Sequence, residues 1–121
     1  SSMGSVELTS TTLVTARRTG NTNNTTCSWE VVEHWPGVIK LVQRGTIALA
    51  AAASSNTATI TAVTVGKAEV SFLGARVGDG GAPTNQDNNN YLVLTNTTTV
   101  TAGRGATNFD SVVGFQVTDW K

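Results

Sequence analysis

The sequence predicts an all-β fold, an antiparallel β-sandwich of about nine to ten short strands, and three observations carry that prediction. Apolar and polar residues alternate over short runs, which is the period of a strand that buries one face. Thr and other β-branched residues fill those runs; such side chains lose rotamer freedom in a helix but pack well on a pleated surface. Finally, one stretch is used twice: "VELTSTTLVTARR" at 6–18 returns as "LVLTNTTTVTAGR" at 92–104.

The repeat aligns without a gap at an offset of 86 positions, from Val6/Leu92 to His34/Trp120. Leu8/Leu94, Thr9/Thr95, Val14/Val100, Ala16/Ala102, Arg18/Arg104 and Val31/Val117 are identical pairs, while Trp29/Phe115 and Glu33/Asp119 are conservative ones. The match runs past the Thr-rich part into an aromatic segment, so composition alone does not produce it. Each copy reads as strand, short polar break at Ser10-Thr11 or Asn96-Thr97, strand, loop and strand. An even offset preserves the facing of every side chain on a strand. Cys27, Trp29 and Val31 should therefore share an inward face, as should Val113, Phe115 and Val117. On that reading Trp29 and Phe115 are core residues, each worth about 3–5 kcal/mol against Ala, and Cys27 is a small core filler.

Between the copies, "GVIKLVQRGTIAL" offers two short strands around Gly45, and the alanines from 48 to 53 read as a strand end followed by a bend. "TATITAV" places Ala58, Ile60 and Ala62 on one side, "AEVSFLGA" does the same with Ala68, Val70 and Phe72, and "TVGKA" should join the two as a hairpin. Residues 74–90, rich in Gly and Asn, read as a long exposed loop. Residues 1–5 look like a cloning remnant, and 6–121 form one domain: a partial repeat unit at 6–35, kept to close an open sheet edge, and a full unit at 36–121.

Composition narrows the function. Eight basic and eight acidic residues balance, so no phosphate-neutralising surface is expected and nucleic acid is not an expected partner. No apolar run reaches the roughly 18–20 residues that cross a bilayer, so membrane insertion is not expected either. A single cysteine rules out an internal disulfide. Acid, base and nucleophile candidates are sparse: His34 is the only imidazole and its repeat counterpart is Trp120, a position that wants a flat ring more than a proton carrier. No catalytic residue is assigned, an enzyme is not expected, and no cofactor is implied. Asp79, Asn85, Asp87 and Asn88 are oxygen donors of the kind calcium takes, but their spacing matches no EF-hand loop and a solvated loop is the better reading. For binding or subunit contact the candidates are Trp35 and Trp120, which end their strands, and the loop residues Asp79, Asn85, Asp87, Asn88, Asn89 and Asn90.

The succession "SWEVVEHWPGVIKLVQRGTIALAAAASSNTATITAVTVGKAEVSFLGA", "YLVLTNTTTVTAGR" and "VVGFQVTDW" resembles the repeat module of tailed-bacteriophage virion proteins of the tail or tail-fibre type. The motifs that carry it are Val42-Gln43-Arg44-Gly45-Thr46-Ile47, Thr57 to Val63, Leu94 to Ala102 and Phe115 to Trp120, spread over nearly all of 27–120. The resemblance implies a structural component of the virion, a homo-oligomer and commonly a homotrimer in a fibre, with loops free for a host receptor or for other virion proteins. Capsid decoration is the alternative it leaves open. The "VVGFQV" ending also resembles, more loosely, the H-type lectin sandwich, which implies a host-surface glycan as ligand.

Overall fold

Eight antiparallel strands in three sheets make up the computed structural model, which describes residues 5–18, 26–77 and 90–121. No helix is present among the described residues. β1 (Ser5–Ser10) and β2 (Leu13–Arg17) pair with each other alone. One three-stranded sheet has β3 (Ile39–Leu49) and β5 (Ala68–Val77) on either side of β8 (Ser111–Trp120). The other has β4 (Ser55–Thr59) and β6 (Asn90–Asn96) on either side of β7 (Thr99–Arg104). The two larger sheets pack face to face, giving the expected sandwich with eight described strands in place of nine or ten.

The core follows from alternation. Ile47 and Leu49 of β3, Ala75 of β5, Val100 and Ala102 of β7, and Val113, Phe115 and Val117 of β8 point between the sheets, and Val63 joins them from the β4–β5 connection. Ala58, Ile60, Ala68, Val70, Leu92 and Leu94 pack around that nucleus as expected. Each large side chain removed from water there contributes about 1.5–3 kcal/mol. β8 supplies the most deeply buried residues because it alone has a ladder partner on each side within its sheet.

Several expectations change. β3 is one eleven-residue strand, not two around Gly45. Gly45 lies opposite Phe115, and a Cβ there would meet the ring at 2.8 Å, so the glycine makes room for an aromatic in the neighbouring strand. The segment "TVGKA" does not close a hairpin, because β4 and β5 lie in different sheets and the chain crosses the sandwich between them. Ala62 is exposed where Val63 turns inward, since β4 ends at Thr59. Phe72 is exposed although it keeps the alternation of Ala68 and Val70 and pairs with the buried Phe115; a bulge follows it, between Phe72 and Gly74. Residues 74–77 continue β5 and Asn90 opens β6, which shortens the expected 74–90 loop at both ends.

The repeat holds in detail for its hairpin. Leu8 pairs with Val14 and Ser10 with Leu13; Leu94 pairs with Val100 and Asn96 with Thr99; the same bulge precedes each turn. Thr9 and Thr15 share a hydroxyl hydrogen bond of 2.8 Å, and their counterparts Thr95 and Thr101 share one of 2.5 Å. In each turn a side-chain oxygen, Ser10 Oγ or Asn96 Oδ1, accepts the N–H of Thr12 or Thr98. These are local contacts, so equivalent sequence gives equivalent structure.

The third strand of the repeat does not hold. Residues 26–35 adopt no strand; Trp29 is 61 % exposed where Phe115 is 2 % exposed, and Val31 and Cys27 are exposed as well. Alternation makes a strand possible, but backbone N–H and C=O groups need ladder partners to hold it. The partners of that position are β3 and β5, and β8 already lies between them. Trp29 and Cys27 are therefore not core residues. Nor does the N-terminal hairpin extend a larger sheet, as closing an edge would require. In urea titrations Phe115→Ala should cost about 3–5 kcal/mol, while Trp29→Ala should stay within about 0.5 kcal/mol of the parent.

Candidate functional site

The segment leading into β3 is the most unusual surface of the molecule. Trp29, Val31, Val32, Trp35 and Val38 are all exposed along a short extended stretch. It ends in a turn over Trp35–Val38, closed by the Val38 N–H donating to the Trp35 carbonyl at 3.3 Å. Pro36 presets the first central position and Gly37, at φ +87°, takes the left-handed second one, the chemistry of a type II turn. Of the expected contact residues, Trp35 is 85 % exposed. Trp120 ends β8, is half-buried, and pairs with Ile39. His34, its repeat counterpart, lies edge-on to it at a ring-centroid distance of 5.0 Å and an interplanar angle of 84°, a favourable aromatic arrangement.

Asp79, Asn85, Asp87, Asn88 and Asn89, named as calcium-type donors or contact residues, lie outside the described residues. Asn90 is in β6, and its side-chain amide is buried without a hydrogen-bond partner among the described residues.

Sequence reasoning missed the charged cluster at the same end of the sandwich. Asp119 is fully buried, yet its Oδ2 accepts from Lys40 Nζ at 2.9 Å and its Oδ1 from the Thr64 N–H at 3.3 Å. The Lys40 hydrogen bond holds the carboxyl below its usual range, against the opposing push of burial, and the Thr64 N–H and the charges of Lys40 and Lys67 add to it. The cluster ties β8 to β3 and to the β4–β5 connection. The signal available in the sequence was the Glu33/Asp119 pair, a carboxylate kept in both copies of an otherwise apolar strand.

Arg104 is the second such tie. It is buried, and its guanidinium donates to the carbonyls of Ala50, Ala53 and Phe109, while its N–H donates to Ser54. These bonds hold the turn after β3, where Ala52 adopts φ 71° and donates to Thr107. The repeat counterpart, Arg18, is exposed; with Glu7 and Arg17 it borders a shallow cavity of about 170 Å³ over the outer face of the β3–β8–β5 sheet. Arg17 and Glu7 form a loose ion pair there, at 3.9 Å.

No family model, curated protein or solved structure matches this chain. The segment leading into β3 forms an exposed apolar and aromatic strap, anchored at one end by a turn beside the Lys40–Asp119 ion pair, whose carboxylate is buried and whose ammonium is half exposed.

Because the folded-state pKa of Asp119 is lowered, its ionised form contributes stability above the unfolded value of about 3.9 and loses that contribution as pH falls through the folded value. Asp119→Asn should therefore lower the urea midpoint at pH 7, and the gap to the parent should narrow as the titration is repeated below the usual carboxylate range.

Proposed function

We propose that this chain is a structural virion module of the tail or tail-fibre type, which assembles with copies of itself and presents its loops to a receptor or to neighbouring virion proteins. One observation carries the assembly part: the exposed strap of Trp29, Val31, Val32, Trp35 and Val38. Contiguous apolar surface of this kind, on a chain with a well-formed core elsewhere, marks an interaction face. Among the described residues the outer edges of β3, β5, β4 and β6 have no ladder partner, and they offer further backbone groups for pairing between subunits. The virion assignment rests on the motif resemblance along 27–120; capsid decoration would use the same face against capsid subunits.

A second reading draws on Trp35 alone. Its ring is nearly free of the fold, next to the His34–Trp120 pair, and an exposed indole is a stacking platform for a sugar. A glycan array on the intact chain decides that reading: binding abolished by Trp35→Ala supports it, and an array without hits removes it.

Sedimentation velocity at micromolar concentration tests assembly. A homo-oligomer, a trimer in the fibre reading, is expected, and Val31→Asp combined with Trp35→Ser should shift the protein to monomer. A parent chain that sediments only as monomer over that range would overturn the proposal.

A further inference from the structure

The chain contains one β3–β4–β5 frame and two half-units built to close it. Residues 90–121 close it in the folded state, supplying β6, β7 and β8. Residues 6–34 align with 92–120 at constant spacing and repeat, identically or in kind, several of the side chains that contact the frame. Val14 and Ala16 match the fully buried Val100 and Ala102, and Val31 matches Val117. Trp29 matches Phe115, which faces Gly45; Arg18 matches Arg104, which holds Ala50 and Ala53; Glu33 matches Asp119, which holds Lys40 and Thr64. Val32 matches the buried Thr118, a residue of the same shape.

The connection to the frame is equally suitable. Trp120 pairs with Ile39, so a strand ending at His34 would reach Ile39 through Trp35–Val38 as an antiparallel β-hairpin. That turn is already formed, with Gly37 in its left-handed conformation. His34 already touches Trp120, so the end of the spare segment lies beside the end of the strand it matches. Because the repeat has no gap, the loop from hairpin to central strand has the same length in both copies.

We propose that residues 5–34 are an exchange half-unit: the segment 26–34 can replace β8 between β3 and β5 of its own chain, with β1 and β2 taking the places of β6 and β7. The exchange is intramolecular and does not rest on the assembly reading above.

The local fit says which occupant prevails. Ser28 would stand where Gly114 is, and a Cβ there lies 3.3 Å from the Leu73 Cβ and 3.6 Å from the Gly74 carbonyl oxygen. Trp29 would put an indole where a phenyl ring already fills the space over Gly45. Both are overpacking penalties, and Gly114 and Phe115 carry neither. The parent chain therefore rests with β8 in place, and exchange requires β8 to be weakened.

Cys27 reports the outcome, because it is exposed now and would occupy the position of the fully buried Val113 after exchange. The experiment uses the full chain with Val117→Asp, followed by far-UV circular dichroism, urea unfolding and the rate of Cys27 modification by an aromatic disulfide reagent. In the parent, Cys27 should react promptly. In the variant, β structure and a cooperative transition should persist, and Cys27 should become reactive only on global unfolding. Adding Val31→Asp to Val117→Asp should abolish the fold, whereas Val31→Asp alone should keep its β structure and a cooperative transition. A Val117→Asp chain that is unfolded, or that is folded with Cys27 still promptly reactive, overturns the proposal. So does a double variant as stable as Val117→Asp alone.

Discussion

Everything in this fold depends on the single slot between β3 and β5. A strand placed there gains ladder hydrogen bonds along its whole length on both sides and turns one face into the core. β8 occupies it, and from β8 come Val113, Phe115 and Val117 on the apolar side and Asp119 at the end, where the Lys40 hydrogen bond forms. The opposing sheet is built to match: Val100 and Ala102 of β7 face the same interior, and Arg104 at the end of β7 fastens the turn that carries the chain from β3 to β4. The two polar ties are at opposite ends of the β3 strand, one at Lys40 and the other at Ala50 and Ala53. Together they fix where the long strand starts and stops in the sandwich.

The N-terminal copy of the repeat separates local from non-local causes. Its hairpin forms with the same register, bulge and threonine pair as its counterpart, because those contacts are made within thirteen residues of chain. Its third segment does not become a strand, although its residue pattern is as good as that of β8 in most positions. What it lacks is a second slot. The consequence is a surface on which a tryptophan and two valines designed for an interior stand in water. Such a surface has two physical outlets: contact with another molecule, or entry into the slot when the resident strand weakens. The first underlies the proposed assembly role and the second the exchange.

The candidate site was legible in part. Trp35 was readable as a contact candidate from its place at the end of an aromatic segment; the segment is not a strand, and the turn at Pro36 and Gly37 follows the exposed ring. Asp119 was not readable, since nothing in a linear pattern says that Lys40 and Thr64 will converge on a carboxylate that follows them by more than fifty residues. The end of β8 at Trp120 was legible in the pattern, but its pairing with Ile39 and its contact with His34 were not, because both partners come from elsewhere in the chain.

By itself the sequence determined the fold class, the hairpins and the apolar faces of β3, β7 and β8, because alternation, β-branching and turn residues act over a few positions. It also showed one stretch used twice, at 6–34 and 92–120. Only the tertiary structure decided which half-unit is used. Close packing surrounds β8 at Gly45 and Gly114: a Cβ at Gly45 would meet the Phe115 ring at 2.8 Å, and one at Gly114 would lie 3.3 Å from the Leu73 Cβ. Differences of a few ångströms between distant residues are invisible to a pattern, and they are what separates a buried strand from an exposed one here.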